Sequence, residues 1–304
     1  MPDPALRAAL AEGDLILAPG VFDMISAKIA DRMGFQALYV TGFGLAASHL
    51  GLPDAGLASY GEVVDRIARI ADGTVTPIIA DGDTGFGGLL NVRHSVRGYE
   101  AAGASAIQIE DQEFPKKCGH TEGRRVIPAE DMARKIAVAL EARRSEDFLI
   151  IARTDARTTL GLDEALRRAA LYAATGADLI FVESPESEAE LAAIAQAIDA
   201  PLVANMATGG KTPILPADRL AQMGYALAIH PAVGFLGMGA ALSRAYAELR
   251  DEGHATRAPM HDFDDFCRLM GFEEVWEFER RWVEPGGRAS IASEGDRSEG
   301  DHGV

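Results

Sequence analysis

The chain has 304 residues, of which 48% are hydrophobic and 25% charged, a balance typical of a globular protein that folds as one barrel domain or as two smaller domains. Its formal net charge of −17, with no stretch rich in Lys or Arg, argues against nucleic acid and against an anionic membrane surface as partners. The two cysteines, Cys118 and Cys267, exclude a disulfide framework, and with no signal sequence and no window of about 18 apolar residues they predict a cytoplasmic protein.

Short apolar runs alternate with helical patterns along most of the chain. The second run ends in Thr41-Gly42-Phe43-Gly44 and is followed by a Gly- and Ala-rich loop that continues through Asp54. Eight such runs predict strands at residues 15–21, 35–40, 76–80, 105–109, 148–152, 178–182, 201–204 and 225–229. Helices are predicted at residues 26–33, 59–72, 92–102, 128–144, 162–175, 187–198, 216–223 and 232–252.

This alternation indicates an α/β protein, a (β/α)8 barrel, because eight strand–helix units fill about 240 residues and the fold usually needs 200 or more. The runs are apolar throughout, as expected for parallel strands buried on both faces. We therefore predict one barrel domain over residues 1–283 and a disordered acidic tail over residues 284–304. An additional aromatic-rich helix at residues 261–282 needs an apolar partner, either the underside of the barrel or another subunit.

The residues that end the predicted strands are polar in every case. In chain order they are Asp23, Thr41, Asp81 with Asp83, Glu110 with Asp111, Arg153 with Asp155, Glu183, Asn205 and His230. In a (β/α)8 barrel these positions share one rim, the catalytic face. A single such residue could cap a helix or form a turn, but eight convergent polar endings predict an active site at this rim.

Carboxylates dominate one part of the rim. Asp81 and Asp83 are separated by one residue, so on an extended backbone both point to the same side. With Glu110 and Asp54 they form a set of hard oxygen ligands that suits Mg²⁺, while the sequence has no paired His/Cys spacing for zinc. Salt bridges or loop capping are the alternative roles for these aspartates.

Basic and proton-carrying residues accompany the carboxylates. Arg153 at a strand end could hold a substrate carboxylate bidentately, or it could pair with Asp155 or Glu183. Tyr39 near the end of the second strand could be a wall residue of the barrel or a proton carrier. His230 could contact substrate or cap a helix, and the residue pattern leaves both pairs of roles open.

The segment Lys116-Lys117-Cys118-Gly119-His120 places a thiol between cations, which lowers the pKa of a cysteine and makes it a usable acid or nucleophile. Gly119 permits close approach of the backbone to a ligand. A polar surface loop with an incidental cysteine is the alternative interpretation.

Five motifs resemble the isocitrate lyase/phosphoenolpyruvate mutase superfamily over residues 19–282: GLPD at 51–54, DGDTGFG at 81–87, IEDQ at 109–112, KKCGH at 116–120 and ARTDA at 152–156. The combination of DGD with KKCGH is highly specific for this superfamily, although neither motif is specific alone. Within it, the chain resembles in particular methylisocitrate lyase and the 2-alkylmalate lyases, among them 2,3-dimethylmalate lyase.

The resemblance implies a retro-Claisen cleavage that releases a 2-oxo acid and depends on Mg²⁺, with Mn²⁺ as an alternative metal. It also implies a homotetramer in which helix 261–282 crosses to a neighbouring subunit. It implies metal binding by Asp81 and Asp83, with Glu110 and Asp54 acting through water. It implies that Cys118 is the general acid and that Tyr39 takes the proton of the substrate hydroxyl. The further site residues that it implies are Lys116 and His120 as catalytic residues and Thr41, Gly42, Phe43, Gly119, Arg153, Glu183, Asn205 and His230 as substrate contacts.

Departures from the family pattern narrow the range of expected substrates. Relatives that cleave tricarboxylates carry an arginine where this chain has Phe235-Leu236-Gly237, and another arginine is replaced near Phe263. An apolar Leu cannot hold a third carboxylate. Phosphonate mutases typically have Asn at the position of Cys118, and the oxo-acid loop reads Thr41-Gly42-Phe43 in place of the usual Ser-Gly-Gly or Ser-Gly-Trp.

The sequence therefore favours a lyase acting on a small 2-hydroxy dicarboxylate of the 2-alkylmalate type, to give a pyruvate-like 2-oxo acid and a carboxylate. An oxaloacetate decarboxylase or hydrolase is the alternative, favoured by His230 and the missing arginines. Methylisocitrate lyase and phosphonate mutase activities are less favoured. Outside the enzymes, a catalytically silent barrel that binds a dicarboxylate is the competing hypothesis.

Overall fold

The computed structural model describes residues 3–119 and 123–283, so the predicted tail at residues 284–304 lies outside the described residues. Eight parallel strands close into a barrel in chain order, with β1 paired to β8. They are β1 Ile16–Val21, β2 Leu38–Val40, β3 Ile78–Asp81, β4 Ala106–Glu110, β5 Leu149–Thr154, β6 Leu179–Val182, β7 Leu202–Asn205 and β8 Leu227–His230. The prediction of a (β/α)8 barrel is confirmed.

Thirteen helices are present in the described residues. They are α1 Ala5–Glu12, α2 Met24–Asp31, α3 Gly42–Leu50, α4 Tyr60–Asp72, α5 Leu89–Ala101, α6 Ala129–Ala142, α7 Ala156–Leu160, α8 Leu162–Thr175, α9 Glu188–Ala197, α10 Ala217–Met223, α11 Val233–Glu252, α12 Phe263–Leu269 and α13 Phe272–Trp282. Among these residues, no helix has the length and apolar character needed to span a membrane.

The barrel strands bury both of their faces, in two separate apolar clusters. One face contributes residues such as Ile79, Ile151 and Phe181 to the inner cluster. The other face packs against the surrounding helices. Leu6 of α1 belongs to the inner cluster, so this helix closes one end of the barrel interior. At the other end the inward positions become polar, and the strand register pairs Glu110 with Arg153.

Four helical segments differ from the sequence-based expectation, one of them the short helix α7, which was not predicted. The segment after β2 was expected to be a loop, but Gly42–Leu50 is helical because burial of Leu45 and Ala46 outweighs the low helix propensity of its glycines. Helix α1 was not predicted. The C-terminal helix expected over residues 261–282 is two helices, interrupted at Gly271, which has a φ of +88°.

Internal contacts divide the chain into a unit that ends at Ser243 and a unit that begins at Arg244. The first contains all eight strands. In the second, the carboxylate of Glu248 accepts hydrogen bonds from the backbone N–H groups of Thr256 and Ala258, each at 2.8 Å, and thereby closes the turn after α11. The expectation of a single domain over residues 1–283 stays a prediction.

Candidate active site

A cavity of about 270 Å³ opens at the carboxyl ends of the strands. Twelve of the sixteen residues predicted for the site line it: Tyr39, Thr41, Phe43, Asp54, Asp81, Glu110, Lys116, Cys118, Gly119, Arg153, Glu183 and Asn205. Gly42 and Asp83 line a smaller adjoining cavity together with Asp54 and Asp81. Polar residues from six of the eight strand endings thus converge on the two cavities, whereas Asp23 caps helix α2.

One predicted residue in the described part of the chain, His230, does not line the cavity. Side chains alternate between the two faces of β8. Ile229 and Pro231 line the cavity, so His230 lies on the opposite face with Ala228, which packs toward the helices. The expectation that His230 contacts substrate is therefore not supported by its place on the strand. His120 lies outside the described residues.

The acidic side of the site is organised around a buried lysine. Lys116, 3% exposed, places its Nζ against Asp54 and 2.7 Å from Asp83 Oδ1. Burial opposes the charge of Lys116, but Asp83, Asp54, Asp81 and Glu110 together raise the pKa of the ammonium group well above its usual value. The resemblance implied a catalytic role for Lys116, and the structure places it in direct contact with the carboxylates of Asp54 and Asp83.

The carboxylates remain crowded despite this lysine. The pKa of Asp83 is raised to about 6, chiefly by burial and further by the charges of Asp81 and Asp54, although Lys116 opposes the shift. Burial likewise raises the pKa of Glu110 well above its usual range, although Arg153 opposes the shift. Glu110 Oε1 is buried and has no hydrogen-bond partner in the described part of the chain. The negative charge of these carboxylates therefore exceeds the positive charge that Lys116 supplies.

Three residues pack or hydrogen-bond beside Asp81: Gly42, Tyr39 and Tyr99. A Cβ atom on Gly42 would lie 2.8 Å from Asp81 Oδ2, so only glycine allows this approach. The Tyr39 hydroxyl donates to Gln108 Oε1 at 3.2 Å, and Tyr99 donates to the backbone oxygen of Asp81 at 2.9 Å. Burial, followed by the charge of Asp81, raises the pKa of the Tyr39 phenol well above its usual value.

Arg153 borders the acidic cluster on the side of Glu110. Its Nε donates to Asp155 Oδ2 at 2.8 Å and its Nη2 to Asp155 Oδ1 at 2.9 Å, which is a bidentate pair. Glu110 and Glu183 each have an oxygen 3.4 Å from the guanidinium, which also stacks over Phe181. Arg153 therefore pairs with acidic neighbours and also lines the cavity, and its binding of a substrate carboxylate stays a prediction.

Backbone hydrogen bonds hold the segment that carries Cys118 at the cavity. The N–H of Cys118 donates to the backbone oxygen of Asp54 at 3.1 Å, and the oxygen of Gly119 accepts from Ser184 Oγ at 3.1 Å. A Cβ on Gly119 would lie 2.3 Å from Arg153 Nη2, so glycine is required here too. Gln112 exchanges two hydrogen bonds with the backbone of Lys117. Cys118 is thereby placed at the cavity, half-buried.

The remaining wall is apolar. The rings of Phe43 and Phe235 stack with centroids 4.9 Å apart, and the edge of Phe22 contacts Phe235. Leu236 and Ala232 of the same region complete this wall. Within residues 3–119 and 123–283, no basic side chain interrupts this apolar wall.

Sequence reasoning missed two parts of the site. The segment 207–210, Ala-Thr-Gly-Gly, lines the cavity directly after β7, and its position after Asn205 was the available signal. Arg124 was also missed; it is buried and contacts Asp155. Its only signal was its place just beyond the KKCGH motif.

Comparison with known proteins identifies the class. The fold and the site define a (β/α)8-barrel enzyme of the phosphoenolpyruvate mutase/isocitrate lyase superfamily, whose members are lyases and mutases. The chain matches the phosphoenolpyruvate phosphomutase family over residues 6–250 and belongs to it. It is a carbon–carbon lyase of this superfamily.

Two relatives are lyases. 2,3-Dimethylmalate lyase of Eubacterium barkeri is 43% identical over 282 residues, which cover 91% of this chain and 97% of that protein. 2-Methylisocitrate lyase of Aeropyrum pernix is 40% identical over 285 residues, which cover 93% and 91% respectively.

Two solved structures are similar over nearly the whole chain. Oxaloacetate acetylhydrolase in complex with 3,3-difluorooxalacetate superposes with a TM-score of 0.87 at 32% identity and covers 91% of this chain and 95% of that chain. Phosphonopyruvate hydrolase in complex with oxalate and Mg²⁺ has a TM-score of 0.83 at 33% identity and covers 93% and 100%. The family thus uses a divalent metal.

Proposed function

We propose that this protein is a Mg²⁺-dependent lyase that cleaves a malate bearing an alkyl substituent into a pyruvate-like 2-oxo acid and a carboxylate. One observation carries the proposal: a single cavity combines a carboxylate cluster, Arg153 and Cys118 with a wall that is apolar in the described residues. The 43% identity to a 2,3-dimethylmalate lyase supports the same substrate class.

The residues of the acidic cluster fit a divalent cation. Asp54, Asp81, Asp83 and Glu110 offer hard oxygen atoms, and one oxygen of Glu110 is buried without a partner in the described residues. We assign Asp81 and Asp83 as the main holders, with Glu110 and Asp54 acting through water. When bound, Mg²⁺ supplies Lewis-acid stabilisation of negative charge on the 2-oxo-acid part of the substrate; Mn²⁺ could serve in its place.

The protein's own groups divide the remaining work. Arg153 binds a substrate carboxylate, and Thr41 to Phe43, Gly119, Glu183 and Asn205 shape the surrounding contacts. Tyr39 lines the cavity, and because its phenol is itself protonated we assign it to relay the proton of the substrate hydroxyl to a carboxylate of the acidic cluster. The bond between C2 and C3 then breaks, and its electron pair passes to C3, next to the departing carboxylate.

Cys118 completes the reaction as the general acid. Its thiol gives a proton to C3. The leaving fragment therefore departs as an ordinary carboxylate, with no negative charge left on C3. The seating of its backbone against Asp54 holds the thiol at the cavity mouth. Lys116 stabilises the acidic cluster, and His120, which lies outside the described residues, keeps only its sequence-based assignment to this loop.

The apolar wall selects the substituent. The Phe43–Phe235 stack and Leu236 can bury an alkyl group, whereas a third carboxylate would lose its hydration there without a cation to replace it. This wall favours 2-alkylmalates over methylisocitrate. An oxaloacetate hydrolase remains the second candidate because of the structural similarity to oxaloacetate acetylhydrolase.

A substrate panel tests the proposal. The enzyme is incubated with Mg²⁺ and, separately, 2,3-dimethylmalate, 2-methylmalate, 2-methylisocitrate and oxaloacetate, and the products are identified by NMR. We expect pyruvate from the alkylmalates with kcat/KM at least about tenfold above that for the other compounds. Faster conversion of oxaloacetate would assign a hydrolase or decarboxylase, and turnover of none would leave a dicarboxylate-binding barrel.

We also propose that the protein is a homotetramer whose C-terminal helices dock on a neighbouring subunit. Large apolar side chains are exposed along these helices: Phe263, Phe272, Val275, Trp276, Phe278 and Trp282. Exposed apolar surface of this extent indicates a protein partner.

A further inference from the structure

Arg124 has no part in the mechanism proposed above, yet its side chain is fully buried. Its Nη1 donates to Asp155 Oδ1, and its Nη2 donates to Thr158 Oγ1 on α7. It lies on the segment that returns from the Cys118 loop, next to the bridge between Gln112 and Val126. It does not line the cavity.

Asp155 connects Arg124 to the substrate-facing arginine. The same Oδ1 atom that accepts from Arg124 also accepts from Arg153 Nη2 at 2.9 Å, while Oδ2 accepts from Arg153 Nε. The backbone N–H of Asp155 donates to Asp111 Oδ1 at 2.8 Å, which fixes the position of the residue. One buried carboxylate therefore holds two guanidinium groups in a defined arrangement.

This sharing changes what Arg153 can offer to a ligand. A carboxylate paired with one arginine competes with a substrate carboxylate for the same charge, and Glu110 and Glu183 already lie 3.4 Å from Arg153. A second guanidinium on Asp155 offsets part of that negative charge. It also fixes the angle of the Asp155 carboxylate and so the plane of the Arg153 guanidinium toward the cavity.

We propose that Arg124 is a positioning residue for Arg153, acting through Asp155, and that it sets the affinity of the site for the substrate carboxylate. The proposal rests on the proposed function in one respect, that Arg153 binds a carboxylate. It holds for any dicarboxylate or oxo-acid substrate of this site.

Arg124→Met tests the proposal with Arg125→Met as the matched control. Arg125 is the next residue, is 78% exposed and pairs only with Glu113 in the described structure. Calorimetric titration with oxalate in the presence of Mg²⁺ measures binding without turnover. We expect the Kd for oxalate to rise about tenfold in Arg124→Met and to change less than about twofold in Arg125→Met.

Two further variants grade the effect. Arg124→Lys keeps the charge but loses the planar pair of donors, and Thr158→Val removes the second anchor of Arg124, so each should weaken oxalate binding about threefold. With whichever substrate the enzyme converts, Arg124→Met should raise KM about tenfold and lower kcat less than about threefold.

The proposal is overturned if Arg124→Met binds oxalate as the wild type does while only its melting temperature falls, because Arg124 would then be purely structural. Should Arg124→Met fail to fold, unchanged oxalate affinity in both Arg124→Lys and Thr158→Val overturns it equally. Oxalate binding does not depend on cleavage of 2-alkylmalates, so failure of the proposed function is recognised separately in the substrate panel.

Discussion

Cys118 is the residue on which the assignment as a lyase depends most. Its thiol reaches the same cavity as Arg153 and Asp81, and removal of a general acid typically costs two to four powers of ten in rate. We predict that Cys118→Ser lowers kcat for pyruvate release at least about 100-fold. Cys267→Ser, which changes the other free cysteine in the second unit, is the control and should retain the wild-type rate. Equal rates in the two variants would refute the general-acid role.

Phe235 sets the preference for the alkyl group. Its ring contacts both Phe43 and Phe22, so its truncation opens the apolar wall. We predict that Phe235→Ala lowers the ratio of kcat/KM for 2,3-dimethylmalate over malate about tenfold, since loss of one apolar contact is worth 1–3 kcal/mol, roughly. Leu90→Ala, on the exposed surface of α5, is the control. An unchanged ratio in Phe235→Ala would place the alkyl group elsewhere.

At the residue scale, the sequence was sufficient to predict which side chains meet in the cavity wherever strand order alone determines their position. Asp81, Glu110 and Arg153 lie at the ends of three neighbouring strands and Asn205 ends β7, so the closed barrel brings them together. The contact of Lys116 with Asp54 could not be predicted, because it depends on how two loops meet. His230 shows a different limit: a one-residue difference along a strand moves a side chain to the opposite face.

At the scale of elements, a buried aspartate ties β4, β5 and α8 together. Asp111 accepts from Thr154 Oγ1 at 2.8 Å, from Arg168 Nη1 at 2.9 Å and from the Tyr172 hydroxyl at 2.8 Å. Its side chain points away from the cavity and toward the helices, as that of Ile109 does. Asp111 therefore stabilises the scaffold behind the catalytic rim.

We predict that Asp111→Asn lowers the free energy of unfolding by about 3 kcal/mol, because it removes the buried one of the two carboxylates that pair with Arg168, the other being Glu164. Asp131→Asn on α6, whose partner Arg134 is on the surface, should cost less than about 1 kcal/mol. Urea denaturation of both variants measures the difference. Equal losses would show that the Asp111 network contributes no more than a surface pair.

The elements themselves were predictable to different degrees. Strands such as β4 and β5 were found because parallel strands buried on both faces are continuously apolar. Helix α3 was missed because Gly42 and Gly44 resemble loop residues, and their helical state is imposed by packing of Leu45. The break at Gly271 depends on a left-handed conformation that the aromatic pattern around it did not indicate.

At the scale of the whole molecule, the exposed aromatic face of α13 requires a partner. Phe272, Val275, Trp276 and Phe278 follow a helical spacing and are all exposed. We predict a mass of four chains by light scattering. Trp276→Glu should reduce this mass, whereas Glu277→Gln on the same helix should not. A wild-type mass of one chain would refute the homotetramer and the exchange of helices between subunits.

The account of this enzyme depends above all on a divalent cation held by Asp81 and Asp83. The most direct test is pyruvate release from 2,3-dimethylmalate, measured in EDTA and after addition of excess Mg²⁺, for wild type, Asp81→Asn and Asp65→Asn, the last a change at an exposed aspartate of α4. We predict no release in EDTA, full recovery with Mg²⁺ in wild type and Asp65→Asn, and at least about a 100-fold loss in Asp81→Asn. Undiminished release in EDTA, or a wild-type rate in Asp81→Asn, would contradict the account.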